Sequence, residues 1–598
     1  MKNWKYIIAA LAALGVAACG GNTPEPDPVK LTSTPDFLLF EAAGGTQELS
    51  IATDVKPEVS CSESWISLKE GSLSDNTFKL SVTAQAYTGT DSRKTSIRVI
   101  GNKQSLMISV TQLAPPVKLS ADTDKLSFDR FGGEASFTVT SSTQPSITTD
   151  ASWCLVKAGS ISSDHETTVS VSAAANRTLS PLNGAITISC GSETVTVSLS
   201  GEAGSAITPA TATAITPEIV FQAMAPGWNM GNHMDAISNH VSGETIWGNP
   251  QCTQATMNGV KAAGFKAVRI CVTWEGHIGP APSYRIEDKW LDRVAEIVGY
   301  AEKAGLVAIV NTHHDETEWQ DISKAYNNTA QNEKVKNELY CLWTQIAQRF
   351  ADKGEWLVFE SLNEIQDGGW GWSEAFRADP QAQYKVLNEW NQTFVDAVRS
   401  TGGNNATRWL GVPGYAASPG FTIAGLVLPE DHTTENRLMV AVHDYDPYDY
   451  DPYDYTLNKD TFKTKYQWGH TADPAHRVSN NDEGAVVAVF DNLKNAFMDK
   501  GIPVYLGEMG CSRHEEKDLP YQRYYMEYFC KAAADRYLPM YLWDNGAKGT
   551  GSETHAYIDH GTGKFVDTES ETLVGLMVKA VSTTDPAYTL ESVYNSAP

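Results

Sequence analysis

Residues 290–314 read WLDRVAEIVGYAEKAGLVAIVNTHH. The first part, 290–305, has the spacing of an amphipathic helix, and its last residue, Gly305, suits a helix C-cap. Val307–Thr312 is then an apolar run of strand length, and it ends directly on His313 and His314. Helix, cap, strand and a polar strand end form a unit that recurs along the chain from residue 217 onward. Further strand candidates are Ala225–Met230, Ala267–Val272, Trp356–Leu362, Arg408–Val412, Leu438–Val442, Val504–Gly507 and Met540–Leu542. Helical patterns at 337–352 and 483–501 lie between them. Eight strands alternating with helices predict an α/β fold, a (β/α)8 TIM barrel. An open doubly wound sheet is the alternative, and the lack of a Gly-rich phosphate loop after the first strand weakens it.

In a barrel, reactive groups belong at the C-terminal strand ends. Those ends carry Asn229, Arg269, His313-His314, Asn363-Glu364, His443, Glu508 and Trp543. Ionisable residues placed directly after apolar strands sit at the rim of a core and need partners there. Two are carboxylates, Glu364 closing WLVFESLNE and Glu508 closing PVYLGE. A lone strand-end Glu is ordinarily a salt-bridge partner. A pair facing one cleft is what acetal hydrolysis needs, one to protonate the leaving oxygen and one to attack or support the anomeric carbon.

Outward from the barrel, the chain begins with MKNWKYIIAALAALGVAACGG, two lysines and an apolar run too short for a comfortable membrane span. It reads as a signal peptide, and Val16-Ala17-Ala18-Cys19 resembles a bacterial lipobox in which Cys19 carries the lipid. GGNTPEPDPVK then suits a flexible tether. Between 31 and 203 there is an internal duplication, in which Phe40, Gly44, Gly45 and Trp65 recur at constant spacing as Phe128, Gly132, Gly133 and Trp153. Both copies are rich in Ser, Thr and Val with period-two alternation, the pattern of small all-β sandwiches. Residues 204–216, GSAITPATATAIT, read as a linker. The expected organisation is therefore 1–18 signal peptide, 19–30 tether, 31–115 and 116–203 sandwiches, 204–216 linker and 217–598 barrel.

The 46 basic against 72 acidic residues give a formal charge of −26, which opposes binding to phosphate backbones and argues against a nucleic-acid partner. Sixteen tryptophans and twenty-four tyrosines supply flat faces suited to sugar rings, although many such rings are core. The cysteines show no CxxC spacing, so neither a zinc site nor a dense disulfide framework is expected; Cys154 and Cys190 share a module and pairing between them stays open.

The sandwiches resemble BACON domains, modules found N-terminal to glycan-degrading enzymes of Bacteroidetes, through F-x-x-x-G-G and the S-W-[IC] turn. Trp65 and Trp153 sit in apolar runs and are expected to be core, which implies a spacer role. The barrel resembles glycoside hydrolase family 5, most closely its subfamily 4. GWNMGN (227–232), ETIWGNP (244–250), AGFKAVRICVTW (263–274), NTHHDE (311–316), FESLNEI (359–365), VHDY (442–445), YLGEMG (505–510) and YLWDNG (541–546) carry the likeness. The resemblance implies a retaining endo-acting hydrolase of β-1,4-glucan backbones with Glu364 as general acid/base and Glu508 as nucleophile. It implies substrate-site roles for Asn229, Arg269, His313, His314, Asn363, His443, Tyr445 and Trp543, with Arg269 holding Glu508 ionised. No cofactor and no metal are expected; HHDE could be read as a metal cluster, but adjacent side chains on a strand end are expected to diverge.

Family members cleave cellulose-type glucan, mixed-linkage glucan or xyloglucan, and some cleave xylan or mannan. A lipoprotein with BACON spacers favours xyloglucan and an outer-membrane, surface-facing monomer, with the periplasmic face as the alternative. The rival classes are a transglycosylase using the same residues and a non-catalytic glycan-binding barrel. Cys271, in place of the usual proline, and His233-Met234, in place of Thr-Leu, bear on substrate preference. In HDYDPYDYDPYDYTL (443–457) a DYDPY unit is written twice and begun again. One copy reads as a loop insertion that places Tyr448, Tyr450, Tyr453 and Tyr455 near the cleft rim. Asp446, Asp449, Asp451 and Asp454 lack the ligand order of a calcium loop.

Overall fold

The structure is a computed structural model and describes residues 29–89, 91–447, 466–478, 482–551 and 553–598. Cys19 with the leader, and Tyr448, Asp449, Tyr450, Asp451, Tyr453, Asp454 and Tyr455 of the repeat, lie outside the described residues.

Eight parallel strands close into a barrel in chain order. They are β1 (Gly227–Met230), β2 (Ala267–Ile270), β3 (Val307–Val310), β4 (Leu357–Glu360), β5 (Leu410–Pro413), β6 (Leu438–Asp444), β7 (Val504–Met509) and β8 (Met540–Leu542). Pairing of Gly227 with both Ala267 and Tyr541 closes the ring. The strands are buried on both faces, which explains why they read as unbroken apolar runs rather than alternating ones.

A helix follows each strand: α1 (Gln254–Ala262), α2 (Asp288–Ala304), α3 (Thr329–Arg349), α4 (Pro380–Ser400), α5 (Pro419–Gly425), α6 (Glu483–Ala496), α7 (Leu519–Ala534) and α8 (Thr568–Ser582). Gly305 caps α2 in the left-handed conformation, with φ 71°, which an L side chain adopts only at a cost. The helix expected at 337–352 begins earlier, at Thr329, because Asn328 accepts from the Gln331 N–H and starts a turn that the polar sequence there conceals. Trp343 of α3 is fully buried against Phe359 of β4 and Phe394 of α4, a contact whose truncation typically costs about 3–5 kcal/mol.

The lumen has an apolar floor and a polar upper layer. Ile215, Val220 and Met224, the last two on the helix Pro217–Met224, plug the floor against Ala267, Ile309, Val358, Met439 and Tyr541. Above them lie the buried polar side chains of Arg269, Asn311 and Glu360. Tyr505 crosses this space; a Cβ on Gly411 would come within 2.2 Å of its hydroxyl, so β5 carries a glycine where the ring must pass.

The duplication is visible in the topology. In the first sandwich one sheet orders Thr32–Thr34, Gly45–Ala52, Thr77–Ala84 and Ile66–Ser74, and the other Phe37–Phe40, Gln104–Gln112, Arg93–Gly101 and Glu58–Ser60. The second sandwich repeats both orders with its own strands, including the parallel pairing of Lys125–Phe128 with Glu193–Gly201. Trp65 is buried in the first core beneath Arg93, 4.2 Å from the ring, whereas Trp153 is only partly buried, edge-on to Phe128. Cys154 and Cys190 are both free thiols.

The 204–216 linker is held against the barrel. Ala210 bridges to Thr433, Ile215 N–H donates to the Asn436 carbonyl (3.0 Å), and Arg437 donates to the Thr213 carbonyl (2.8 Å). The second sandwich also docks on the barrel. Arg130 donates to the Ser400 carbonyl (2.8 Å), Ser283 to Glu134 (3.1 Å), and Arg177 lies over the Tyr340 ring. A crevice of about 240 Å³ in this seam is lined by residues that include Asn176, Tyr340, Asp396 and His432.

Candidate active site

The site is built around one guanidinium. Arg269, pointing inward from β2, is fully buried. It donates to Glu360 through Nε (3.0 Å) and Nη2 (2.7 Å), to Asn363 Oδ1 through Nη2 (2.8 Å), and through Nη1 to Asn229 Oδ1 (3.1 Å) and Glu508 Oε1 (2.7 Å). A planar fork of fixed donors suits this task, because each carboxylate and amide is oriented by the same rigid group. Glu360 also accepts from Asn311 Nδ2 (3.0 Å) and Tyr505 Oη (2.5 Å), so its buried charge is well satisfied.

Glu508 on β7 accepts from Arg269 on one oxygen and from Tyr445 Oη (2.8 Å) on the other. His443 on β6 bridges the two carboxylates, its Nδ1 2.7 Å from Glu364 Oε1 and 3.7 Å from Glu508 Oε2. One oxygen of Glu364 and one of Glu508 lie within 4.8 Å of each other. Their environments push them apart. Burial raises the Glu364 carboxyl, and the nearby Glu508 charge adds to this against the pull of His443. Burial acts the same way on Glu508, but the charges of His443 and Arg269 and the Tyr445 hydrogen bond outweigh it and bring Glu508 below its ordinary range.

His313 is buried with its ring parallel to Trp543, 5.9 Å between centroids. Asn311 Nδ2 lies 3.1 Å from its Nδ1, which assigns the ring proton to Nε2, 3.9 Å from Glu508 Oε1. Asn363 has its oxygen taken by Arg269, so its amide N–H groups are left for a ligand. All ten sequence-expected residues thus converge at the C-terminal mouth, but with different access.

Three expectations need correction. Asn229 and Arg269 are fully enclosed, and Asn229 spends its amide on the Gly507 carbonyl (2.8 Å), so both position other groups and do not face a ligand. Cys271, His233 and Met234 are also fully buried, so these departures line the structure beneath the cleft and cannot touch a substrate. His313 and His314 do not diverge: their rings meet edge to face at 4.4 Å, and with Asp235 they bring ligand-type atoms within 4.8 Å of one another. Asn311 and Glu316 already engage the two Nδ1 atoms, and the Asn232 and His233 N–H groups donate to both Asp235 oxygens, so hydrogen bonds tie each member of the cluster to its surroundings.

Glu360, Tyr505 and Asn311 lie within the quoted motifs but were given no role by them, and the same holds for two buried carboxylates that hold the loops. Asp315 accepts from the Trp274 and Glu275 N–H groups and from Trp319 Nε1, and burial pushes its carboxyl up to about 8. Asp544 accepts from Trp228 Nε1 (2.9 Å) and the Ile558 N–H (2.7 Å). The signal for Glu360 was a charge inside the apolar run WLVFE, at a position sharing the inward face with Val358.

The profile of the cellulase family (glycosyl hydrolase family 5) matches residues 229–549. The chain belongs to glycoside hydrolase family 5. BACON and viral BACON domain profiles match 53–113 and 118–203 of this family 5 glycosidase. A Bacteroidetes-affiliated GH5 cellulase linked with a polysaccharide utilization locus superposes with TM-score 0.61 at 46% identity, covering 64% of this chain and 97% of that one. A Bacteroides ovatus GH5 xyloglucanase in complex with a XXXG heptasaccharide superposes with TM-score 0.56 at 28% identity, covering 78% of this chain and 100% of that one. Endoglucanase A of Paenibacillus barcinonensis is 36% identical over 354 residues, 57% of this chain and 84% of that protein.

Proposed function

We propose that this glycosidase, an endo-β-1,4-glucanase, cleaves the backbone of plant β-glucan with retention of configuration, that Glu364 is the acid/base and Glu508 the nucleophile, and that xyloglucan is its preferred substrate. The observation that carries the reading is the pairing of two carboxylates, oxygens within 4.8 Å, with the Glu364 carboxyl raised by burial and the Glu508 carboxyl lowered by His443 and Arg269. Retaining enzymes keep these groups about 5–5.5 Å apart, whereas inverting ones leave room for a water.

In the first step a Glu508 oxygen attacks the anomeric carbon while Glu364 gives its proton to the departing glycosidic oxygen. The products are a glycosyl ester on Glu508 and the shortened glucan. Esterification removes the Glu508 charge, one of the causes that raise Glu364, so Glu364 becomes a better base. It then takes a proton from water as that water attacks the same carbon, and Glu508 leaves as carboxylate. Asn363 and the His313 Nε2–H are the donors for hydroxyls of the sugar being cleaved, and Trp543 is the face against which it rests.

Three exposed tryptophans support an open cleft for a polymer. Trp247, 43% exposed, lies beside His314, and Trp370 and Trp372, 44% and 80% exposed, sit on the loop after Glu364. That loop is fixed by Asp367, which accepts from Gly369 N–H, Ser373 Oγ and Gln383 Nε2. Glu364 protonates the leaving group, so its loop belongs to the aglycone side of the cut.

The xyloglucanase likeness favours the branched substrate. A broader β-glucan range is the second reading, favoured by 47% identity to a GH5-4 broad specificity endoglucanase from Bacteroides salanitronis. Side-by-side digestion of xyloglucan, barley glucan, carboxymethylcellulose, xylan and mannan separates them. We expect the highest kcat/KM on xyloglucan with β-configured ends released first; α-configured first products would overturn retention, and a preference for xylan or mannan would overturn the substrate. Product analysis with excess oligosaccharide distinguishes transfer from hydrolysis. Cys19 is proposed as the lipid attachment of a monomeric outer-membrane protein facing the cell surface, with the sandwiches as spacers. Cys19→Ala is expected to move the protein from the membrane to the soluble fraction, and unchanged membrane recovery would remove that reading.

A further inference from the structure

The last residue of the HHDE run, Glu316, has no place in the motif-based account. It lies beside His314, with Oε1 3.3 Å from the ring Nδ1. On the other side of the ring, Nε2 is 3.8 Å from Asp235 Oδ2. Glu316 Oε2 is buried and has no hydrogen-bond partner among the described residues, and the whole side chain is only 12% exposed. A carboxylate kept from water with one oxygen idle is costly unless a positive charge faces it.

His314 supplies that charge. With a carboxylate opposite each ring nitrogen, only the doubly protonated ring has a donor for both. Burial opposes the cation, but the Glu316 hydrogen bond and the charges of Glu316, Asp235 and Glu508 overcome it and raise His314 to about 9. The neighbouring histidine is driven the opposite way. Burial, then the positive charges of His314, Arg269 and His443, hold His313 well below its ordinary range. Two adjacent histidines of one strand end are thus kept in opposite charge states, and Glu508 is faced by Arg269 from β2, His443 from β6 and His314 from the β3 end.

We propose that Glu316 is a positioning residue of the cleft, which clamps His314 as an imidazolium between itself and Asp235 and so fixes a positive charge near Glu508. This rests on the reading of Glu508 as nucleophile. The charge groups around His314 are Asp235 after β1, His313 and Glu316 on its own segment, and Glu508 on β7. Glu316 also acts on Glu364, where it joins burial and Glu508 in raising the carboxyl against His443.

Glu316→Gln keeps the shape and removes the charge. In the full chain carrying isotope-labelled histidine, with the His314 signals assigned by difference from His314→Asn, NMR should show wild-type His314 cationic at pH 7–8. In Glu316→Gln its titration should fall by about 1–3 pH units, the size of a lost opposite charge at this range. On soluble β-glucan, the alkaline limb of kcat/KM should move to lower pH, because the His314 cation is lost earlier and Glu364 loses a negative neighbour. Glu316→Asp should restore part of both shifts. A wild-type His314 that is neutral at pH 7, or a Glu316→Gln protein in which neither the titration nor the limb moves, overturns the proposal, including when its melting temperature falls. If wild type cleaves no β-glucan while His314 titrates as stated, the clamp stands and the functional reading fails.

Discussion

Glu508→Ala is expected to lower kcat on β-glucan by about ten-thousand-fold or more, the scale seen when an enzyme loses its nucleophile. No other described carboxylate has an oxygen placed within 4.8 Å of Glu364 together with His443, so the loss has no local substitute. Glu364→Ala should be equally severe on polysaccharide but much milder on an aryl β-glucoside whose phenol leaves without protonation. That contrast separates acid from nucleophile, because Glu508→Ala gains nothing from a better leaving group. Both variants should keep the wild-type circular dichroism spectrum, since Arg269 retains Glu360 as its buried partner in each. Near-normal turnover of any β-glucan by either variant would end the assignment.

Arg269→Met should destabilise the barrel by about 3–5 kcal/mol, the cost of removing one partner from a buried ionic network. The substitution strands Glu360 in the lumen with only Tyr505 and Asn311 as donors and removes the donor that holds Glu508 Oε1. Activity should fall as well. Without the Arg269 charge the Glu508 carboxyl rises, so the nucleophile becomes protonated, and kcat/KM is lost, at a higher pH on the acid side. Denaturant unfolding measures the first effect and the pH profile the second. Adding Glu360→Gln to Arg269→Met should recover part of the stability, because the stranded charge is then neutral. A stability change below about 1 kcal/mol for Arg269→Met would show that the network is not what holds the polar layer together.

Much of this was legible from strand ends. The eight apolar runs each became a barrel strand because a run flanked by an amphipathic helix has one economical way to bury both faces. Glu364, His443 and Glu508 were recognisable because each follows such a run directly. Glu360 was hidden by the same logic, since a charge four residues before a motif Glu reads as part of the strand. Its role depends on Arg269 and Tyr505, residues from two other strands. The docking of the 204–216 linker on the barrel was hidden for a similar reason, as Thr, Ala and Pro carry no hint that Thr213 and Ile215 would find partners near Asn436 and Arg437.

By itself, then, the order of residues determined two duplicated β modules, a barrel and which side chains stand at its mouth, because periodicity and strand ends are local properties. Tertiary structure alone decided which of them face a ligand and which are sealed beneath it, and which carry charge. Ionisation is set by burial and by neighbours from other strands. Asn229 and Arg269 were therefore moved from the cleft wall to its foundation, and the two histidines of NTHH, identical in the sequence, were shifted in opposite directions, His313 toward the neutral ring and His314 toward the cation.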